Sequence, residues 1–576
     1  MGFRPSDCDR QSRCHIQCLY FREIMAQTGT VSDTKTATRS SSLNHQCIPF
    51  TAIPHTTRLY QDYLFHHARV AEFYPHPPTP DAVFDYGKQL EFPAERRAQV
   101  AAVLTRQNRA FGADEQVFEA IERLRGGAVA VVSGQQVGLF GGPLYSILKA
   151  VSAVELARSL SGRGLDAVPV FWLATEDHDL AEVNHTFLPA AAGGLERLTS
   201  SSQGTEGAPV GYVKFGEEIS AAAARVRELL GDGEIARAVV EAYRPGETYG
   251  SAFAKLFAKL LAGTGLILLD PLDPELHAVA APVFSGAAAR AREIDDALLS
   301  RGKQLQASDY HEQVRVTGES TLLFSLEGGE RRVIHLSGED FTIGRRRVGR
   351  DELLEQVRSA PELFSSNVLL RPIVQDYLLP TVAYFGGAAE VAYFAQVGVV
   401  YEKLLGRVTP VLPRFSATVV DGRMQRLLQQ YQLGVPDLFH GTEQLREKLA
   451  ARSLPAGMQH ELSAAKDTVQ EIISRLREHL RTLDPTLVDA TERSGRKMQY
   501  QLSKIAAKAA RAKLRQDQRL AQEGEEIITL LFPEKGLQER TIPGVYFLAR
   551  YGRRLIGELM TLASEHCPGH HIVNVG

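Results

Sequence analysis

The sequence lacks any hydrophobic run that approaches the roughly 20 apolar residues needed to cross a bilayer. Its N-terminus also lacks the basic start and apolar stretch of a secretory signal, so we expect a soluble cytoplasmic protein without a membrane partner. An excess of positive charge is absent too, because 65 Lys and Arg face 68 Asp and Glu, for a net charge of −3. Non-specific binding of nucleic acid depends on such an excess. We therefore expect no nucleic-acid partner and small-molecule substrates.

Cysteine is scarce, with five in 576 residues and none between residues 50 and 552. This gap excludes a Cys-ligated zinc site in the core. Near the N-terminus, Cys8, Cys14, His15 and Cys18 lack a paired C-x-x-C and a second ligand pair. At the other end the cluster His566, Cys567, His570 and His571 is better interpreted as a short tail. We therefore predict no metal site.

Changes in composition divide the chain into four parts. Residues 1–46 are polar, show no hydrophobic period and are predicted to be a disordered tail. Residues 47–420 are predicted to form the catalytic α/β core, and residues 421–535 a helical coiled-coil domain. Residues 536–576 are apolar enough to pack back on the core.

Three uninterrupted apolar runs predict buried strands of a parallel sheet. They are AVAVV at 128–132, VPVFWLA at 168–174 and GLILLD at 265–270. Between the first two, a glycine-rich loop precedes residues 146–160, whose apolar spacing predicts a helix. TLLFSL and RRVIHL indicate more sheet, and residues 368–396 indicate strand, loop and helix. The predicted fold class is α/β, with a Rossmann-like doubly wound core that carries insertions.

Beyond about residue 420, apolar residues are spaced alternately by four and three, as in the seam of a coiled coil. Asp484 and Pro485 together supply a helix start, so two helices are predicted to form an antiparallel α-helical coiled-coil hairpin. A protruding hairpin is a natural dimer contact, and we expect a homodimer. The seam residues are Val469, Ile473, Leu476, Leu480 and Leu483, then Met498, Leu502, Ile505, Ala509 and Ala512.

The loop SGQQVGLFGGPLYS, which begins at Ser133, follows the first predicted strand. Its glycines precede a helix, so backbone N–H groups could approach an anion. It matches neither G-x-G-x-x-G nor the phosphate loop, so neither nucleotide motif is present. A tight structural turn is the alternative, but the polar side chains favour a binding loop. Its substrate-binding candidates are Ser133, Gly134, Gln135, Gln136, Gly142, Tyr145 and Lys149.

The loop TEDHD at 175–179 places three carboxylates around one histidine directly after a buried strand. Crowded carboxylates and a charged histidine suit acid–base catalysis or amine binding. Caps and salt bridges are the alternative, since Asp179 and Glu182 match a capping box. The catalytic candidates are Glu176, Asp177, His178 and Asp179, and nearby substrate-binding candidates are Trp172, Asn184 and His185, the last expected on a short helix facing the same way as His178.

Polar residues also interrupt the apolar stretch 368–396. Buried polar groups must be paired, which can mean core hydrogen bonding as easily as substrate contacts. Its substrate-binding candidates are Arg371, Asp376, Tyr377, Tyr384 and Gln396, the first three expected where a strand passes into a loop.

Four uncommon strings occur in order: SGQQVGLFGGPLYSILKA, VFWLATEDHDLAEVNH, NVLLRPIVQDYLLPTVAYFGGAAEVAYFAQ and LQERTIPGVYFLARYG. Together they resemble the bacillithiol-biosynthesis cysteine-adding enzyme family, BshC, from about residue 50 to the C-terminus. The resemblance implies a Rossmann-like core related to class I nucleotidyl-transfer folds, an inserted connecting region and a coiled-coil dimer. It also implies the last step of bacillithiol synthesis, which joins the carboxyl group of cysteine to the amine of glucosaminyl-malate.

Amide formation from a free carboxylate is uphill in water, so ATP is expected as the activating reagent, through an adenylate or an acyl phosphate. The histidine pair of the class I HIGH motif is absent from the first loop. In our hypothesis the glycine-rich loop binds a phosphate or the malyl carboxylate, Glu176, Asp177 and Asp179 hold amines, and His178 transfers protons. Two alternatives stay open: an adenylyl-transferring ligase for another amino acid and amine, and a non-enzymatic coiled-coil scaffold that binds a metabolite.

Overall fold

The computed structural model describes residues 43–576, apart from residues 191, 192, 203, 205, 206, 453 and 485 and the side chains of 447, 451, 452 and 514. The predicted tail at 1–46 lies outside the described residues except for its last four. Within the described ranges, no helix is both long and apolar enough to cross a membrane.

The described strands, in chain order, are β1 (His45–Pro49), β2 (Val129–Gln135), β3 (Ala167–Leu173), β4 (His185–Pro189), β5 (Leu195–Thr199), β6 (Ile267–Leu269), β7 (Ser320–Glu327), β8 (Glu330–Ser337), β9 (Asp340–Ile343), β10 (Arg346–Val348), β11 (Phe364–Ser366), β12 (Thr381–Gly386), β13 (Val411–Pro413), β14 (Ser416–Asp421) and β15 (Gly569–Val575).

The helices of the core, in chain order, are α1 (Arg58–Phe65), α2 (Pro80–Gln89), α3 (Ala94–Phe111), α4 (Glu115–Gly126), α5 (Tyr145–Gly162), α6 (Leu180–Val183), α7 (Glu218–Leu230), α8 (Glu234–Ala242), α9 (Tyr249–Leu260), α10 (Pro274–Ala289), α11 (Ala291–Ala307), α12 (Arg350–Ser359), α13 (Arg371–Leu378) and α14 (Ala388–Leu404). Those that follow are α15 (Gly422–Gln430), α16 (Val435–Leu438), α17 (Thr442–Arg452), α18 (Ala456–Leu483), α19 (Thr486–Gln516), α20 (Gln518–Leu531), α21 (Gly544–Tyr551) and α22 (Arg554–Ala563).

A five-stranded, all-parallel sheet in the order β13-β12-β2-β3-β6 forms the centre of the fold. From β2 the chain first adds β3 and β6 on one side. After the long insertion that follows β6, it adds β12 and β13 on the other side of β2. That is the strand order of a Rossmann-type sheet, whose ligand crevice lies at the switch between the two halves. The predicted Rossmann-like α/β core is therefore confirmed, with the switch between β2 and β12.

The central strands are buried on both faces, which explains their uninterrupted apolar runs. In β2, Val132 belongs to the same apolar cluster as Leu104 of α3 and Ile121 of α4. Its neighbour Val131 points to the opposite face and clusters with Leu156 of α5. Because helices cover both faces of the sheet, the carboxyl ends of its strands are where a ligand can reach it.

An antiparallel sheet in the order β10-β9-β8-β7-β11 lies in the insertion between β6 and β12. A third sheet joins the two ends of the described chain, because β15 pairs antiparallel with β1 and parallel with β14. The interpretation of His570 and His571 as part of a short tail is therefore wrong. Backbone hydrogen bonds on both sides of β15 hold them in the middle of a sheet.

The helices α18 and α19 form an antiparallel hairpin, and the predicted coiled-coil domain is confirmed. Arg477 forms a 2.8 Å ion pair with Glu492, and the side chain of Ile473 packs on Gly495. Pro485, part of the predicted helix start, lies outside the described residues. Much of the predicted seam faces outward, since Leu476, Leu483, Met498 and Ile505 are between 46% and 77% exposed.

Two local predictions are wrong. Arg371, Asp376 and Tyr377 lie in helix α13, not in a strand-to-loop passage, because Pro372 occupies the first turn of a helix and the strand begins only at Thr381. His185 is not on a short helix with His178, since α6 ends at Val183 and His185 starts β4.

Candidate functional site

A cavity of about 490 Å³ opens at the carboxyl ends of β2, β3 and β12, at the switch point of the sheet. It joins the two loops that the sequence singles out, which are distant in the chain. The lining residues used below are Gly134, Gln135, Gln136, Tyr145, Lys149, Trp172, Glu176, Asp177, Glu182, Phe324, Arg331, Arg371, Tyr384, Glu390, Tyr393, Arg414 and Arg540.

The glycine-rich loop is tightly packed. A Cβ at Gly134 would lie 2.8 Å from the carbonyl oxygen of Trp172, so only glycine allows the close approach of β2 and β3 there. The N–H of Gly138 donates to Gln136 O, that of Gly141 to the Tyr243 hydroxyl and to Gly138 O, and that of Gly142 to Leu139 O. These donors already have partners, so the predicted anion-binding role of the loop backbone is not supported. The loop instead contributes side chains.

Lys149 of α5, which is buried, and Glu390 of α14, which is 22% exposed, form an ion pair in the wall of the cavity. The Nζ of Lys149 lies 2.5 Å from Oε2 of Glu390 and donates to Gly134 O and Gln135 Oε1. Burial lowers the pKa of Lys149, and Glu390 offsets this only in part. Burial alone would raise the pKa of Glu390, but Lys149, the N–H of Gly387 and the Tyr384 hydroxyl hold it below its usual value. The pair is therefore charged and largely self-neutralised.

Three arginines add positive charge that the surrounding residues do not neutralise. Arg371, Arg331 and Arg540 line the cavity, and among the described residues none of them has a carboxylate within ion-pair distance. Arg371 lies over the rings of Tyr384 and Trp172, at 4.9 and 5.9 Å, and one of its terminal nitrogens is buried without a hydrogen-bond partner. A buried, unpartnered guanidinium nitrogen at a cavity wall is suited to an anionic ligand.

Arg331 reaches the site from strand β8 of the inserted sheet. It lies 3.8 Å from the ring centre of Phe324, donates to the Ser365 hydroxyl and to Ser366 O, and approaches Nδ1 of His178 at 3.3 Å. Burial lowers the pKa of this arginine. The inserted sheet thus contributes part of the cavity wall.

The acidic loop supplies a cluster of carboxylates to the same cavity, close to Arg331. The Nε2 of Gln136 donates to Asp177 Oδ2 at 3.1 Å and to Glu182 Oε2 at 2.6 Å, so one amide holds two carboxylates together. Burial, with Asp177 and Asp179 nearby, raises the pKa of Glu182, although Gln136 opposes this. An ammonium group placed here would relieve the repulsion between carboxylates.

Glu176 turns inward and meets His277 of α10. Its Oε1 lies 3.3 Å from Nε2 of His277, and both side chains are buried. The Nδ1 of His277 interacts with Pro361 O at 3.2 Å. Burial alone would lower the pKa of His277, but Glu176 raises it above its usual value. The pair anchors the acidic loop to the helix after β6.

Several predicted site residues lie outside the cavity lining. Ser133 ties β2 to β12 by donating to Phe385 O, and Asp179 caps α6 by accepting from the N–H of Glu182. His178 is at the rim, 45% exposed, beside Arg331. Three more candidates have structural partners elsewhere: Asp376 is paired with Tyr401, Tyr377 packs on Arg96, and Gln396 is hydrogen-bonded to the backbone of Val314. The remaining candidates outside the described lining are Gly142, Asn184 and His185.

The sequence reasoning missed the residues that other segments bring to the cavity. Phe324 and Arg331 come from the inserted sheet, Arg414 follows β13, and Arg540 precedes α21. Arg414 is itself fixed by a 2.6 Å ion pair with buried Glu539. No local sequence motif indicates any of these residues, except that Arg540 lies within the string LQERTIPGVYF.

Comparison with known proteins agrees with this architecture. Residues 43–415 match the family model "Bacillithiol biosynthesis BshC, N-terminal Rossmann-like domain", and residues 417–575 match "Bacillithiol biosynthesis BshC, C-terminal coiled-coil domain". A relative from Koribacter versatilis, named "Putative cysteine ligase BshC", is 47% identical over 92% of this chain and 99% of its own length. Relatives with the same name from Solibacter usitatus and Salinibacter ruber are 39% and 34% identical, over 92% and 90% of this chain and 99% and 96% of theirs. The chain belongs to the BshC family of bacillithiol biosynthesis.

Proposed function

We propose that this protein is a cysteine ligase, which joins the carboxyl group of cysteine to the amine of glucosaminyl-malate in the last step of bacillithiol synthesis. The names of the relatives support the ligase class and cysteine as a substrate. The single observation that carries the proposal is the mixed charge of the cavity lining. Arginines without an ion-pair partner among the described residues and a cluster of carboxylates line the same cavity, as substrates that carry both carboxylates and amines require.

The arginine side is proposed to bind carboxylates. The malyl group carries two carboxylates, and Arg371, Arg331 and Arg540 offer guanidinium groups without an ion-pair partner among the described residues. A guanidinium can donate two parallel hydrogen bonds to a carboxylate. The desolvated rings of Trp172 and Tyr384 strengthen this interaction by excluding water around Arg371.

The acidic side is proposed to bind the substrate amines. Asp177 and Glu182, held together by Gln136, would pair with an ammonium group, and Glu176 adds negative charge behind them. Asp179, assigned to this role from the sequence, is better explained as the cap of α6. His178 remains the proposed proton acceptor, because it borders Asp177 at the rim and an attacking amine must lose a proton.

The reaction requires an activated carboxyl group, and we propose ATP as the reagent that activates it. The carboxylate of cysteine would attack a phosphorus of ATP, and diphosphate would leave if an adenylate forms, or ADP if an acyl phosphate forms. The amine nitrogen then attacks the activated carbonyl carbon. The amide bond forms as AMP or phosphate leaves, and the amine proton passes to the base.

The test is product formation by the purified chain. With cysteine, glucosaminyl-malate and ATP, mass spectrometry should detect bacillithiol, and the product should be absent when any one substrate is omitted. Replacing cysteine by serine, or glucosaminyl-malate by another amino sugar, tests the alternative that the enzyme ligates a different pair. Turnover of such a pair without any bacillithiol would refute the proposed substrates. The charged groups in the cavity argue against the alternative of a non-enzymatic scaffold.

We also propose a cytoplasmic homodimer joined through the coiled coil. On α18, Met458, Ile472, Leu476 and Leu483 share one stripe at helical spacing, and all are exposed. On α19, Leu487, Met498 and Ile505 form a second exposed stripe. Exposed apolar stripes of this kind are typical of a protein interface.

A further inference from the structure

The sheet that joins the chain ends contains a cluster of sulfur and nitrogen ligands. Cys47 lies in β1 directly opposite His571 of β15, and Cys567 lies in the turn just before β15. The two sulfurs are joined as a disulfide in this structure. A ligand atom from each of the three residues lies within 4.8 Å of the other two. This grouping brings together residues 520 positions apart in the chain.

One ring nitrogen of His571 has no hydrogen-bond partner among the described residues. Its Nδ1 is buried and, among the described residues, has no hydrogen-bond partner, although the side chain is only 1% exposed. The preceding residue provides a contrast, since both ring nitrogens of His570 are 2.8 Å from a hydroxyl group, of Ser416 and of Thr418. Adjacent residues of a strand point to opposite faces, so only His571 faces the sulfurs. A buried imidazole that lies beside two cysteine sulfurs and has an unpartnered ring nitrogen is typical of a metal ligand.

We propose that Cys47, Cys567 and His571 bind one zinc ion when the disulfide is reduced. Two thiolates and an imidazole are a common zinc ligand set, and water would complete the tetrahedron. The two cysteines are partly exposed, which leaves room for that water, whereas His571 is buried. This is a binding site outside the cavity proposed for the ligase reaction, and it does not depend on that reaction.

The geometry of the backbone is compatible with such a site. Zinc–sulfur bonds of roughly 2.3 Å place two thiolates about 3.8 Å apart in a tetrahedron. The Cα atoms of Cys47 and Cys567 are 6.6 Å apart, so side-chain rotation alone can separate the sulfurs by that amount. Gly569 makes the approach possible, because a Cβ there would lie 2.6 Å from the Cys47 sulfur and 2.5 Å from Ile48 O.

The surroundings fix the position of the His571 ring. The ring of His45 stacks on that of His571 with centres 5.7 Å apart, and Nε2 of His45 is 2.7 Å from Glu565. His45 therefore packs against the proposed ligand and fixes the plane of its ring.

Reduction of the disulfide and binding of zinc are separate steps. A phosphine reductant supplies two electrons to the disulfide, takes its oxygen from water, and leaves two thiols. Zinc then binds as each thiol releases its proton. In the cytoplasm proposed above, cellular thiols would keep the cysteines reduced, so that zinc rather than a disulfide would join β1 to β15.

The test uses the full chain, reduced with a phosphine, freed of metal and titrated with zinc against a competing chelator. One tightly bound zinc per chain is expected, and a Cys8→Ser, Cys14→Ser, Cys18→Ser variant should keep it. Cys47→Ser with Cys567→Ser should lose it, and so should His571→Gln, in which both thiols remain. Cobalt in place of zinc should show a thiolate charge-transfer band in the wild type and in the N-terminal triple variant only.

Circular dichroism of each variant distinguishes a loss of folding from a loss of metal binding. If a variant is unfolded, the wild type after oxidation serves as the comparison, because its disulfide blocks the ligands and it should bind no zinc. The absence of zinc from the reduced wild type would overturn the proposal. Retention of zinc by folded His571→Gln, or by the oxidised protein, would overturn it too.

Discussion

The Nζ of Lys149 lies 2.5 Å from Oε2 of Glu390, and this contact joins the first helix after β2 to the helix after β12 across the switch point of the sheet. Both halves of the Rossmann-type core are thereby fixed relative to the cavity. Because the lysine is almost fully buried, its charge depends on this partner.

Removing only the lysine should therefore be costly. In Lys149→Met, Glu390 loses its cation while only 22% exposed, and the free energy of unfolding should fall by about 3 kcal/mol, the lower end of the cost for a buried pair. Adding Glu390→Gln should restore part of that loss, since neither charge then remains. Urea unfolding followed by tryptophan fluorescence measures both, because Trp172 borders the cavity. Equal losses in the single and the double variant would contradict this account of the pair.

The acidic loop should separate into catalytic and structural carboxylates. Asp177→Asn and His178→Ala should each lower kcat for bacillithiol formation by about 100-fold or more, as expected for amine binding and proton transfer. Asp179→Asn is the matched control, because asparagine caps a helix as well as aspartate does and should leave kcat nearly unchanged. Unimpaired product formation by both Asp177→Asn and His178→Ala would discard the proposed roles.

Arg371 should determine the affinity for the malyl group. Arg371→Lys keeps the charge but loses the planar fork, so KM for glucosaminyl-malate should rise on the order of 10- to 100-fold. The KM for cysteine should change little. Arg96→Lys provides a control, since that arginine packs on Tyr377 away from the cavity. A rise confined to the KM for cysteine would instead place the amino acid beside Arg371.

The Glu176–His277 pair should make stability depend on pH. Since the pKa of His277 is raised above its usual 6.5, its contribution is complete below that pH and is lost as pH rises through the raised pKa. As the pH rises above 6.5, the wild-type Tm should therefore fall relative to that of Glu176→Gln, whose carboxamide cannot favour the charged histidine. Differential scanning calorimetry of both proteins at a series of pH values measures the effect. Parallel Tm curves for the two proteins would rule out the coupling.

The exposed stripe of α18 should mediate dimer formation. Leu476→Glu places a charge within that apolar stripe and should convert a dimer into a monomer, as measured by analytical ultracentrifugation. Ser474→Glu is the control, because residue 474 lies on the opposite side of the same helix and should leave the dimer intact. A wild-type monomer at micromolar concentration would remove the basis for the proposed contact.

The sequence by itself determined the elements whose signal is local. Continuous apolar runs identified β2, β3 and β6, because strands buried on both faces need no polar alternation. Four-and-three spacing identified the coiled coil, and the clustering of carboxylates at 175–179 pointed to one wall of the cavity. In the stretch 368–396 the same apolar pattern was misleading, because a run of that length fits a buried helix as well as a strand.

Only the tertiary structure decided which residues meet. It brought Arg331, Arg414 and Arg540 to the cavity from three distant segments, and it showed that the N–H groups of Gly138, Gly141 and Gly142 already have hydrogen-bond partners. It also placed Cys47 beside His571, across almost the whole length of the chain. Periodicity reports what surrounds each element, namely core or solvent. It carries no information on which two elements a long-range packing arrangement places side by side, and active-site chemistry depends on that pairing.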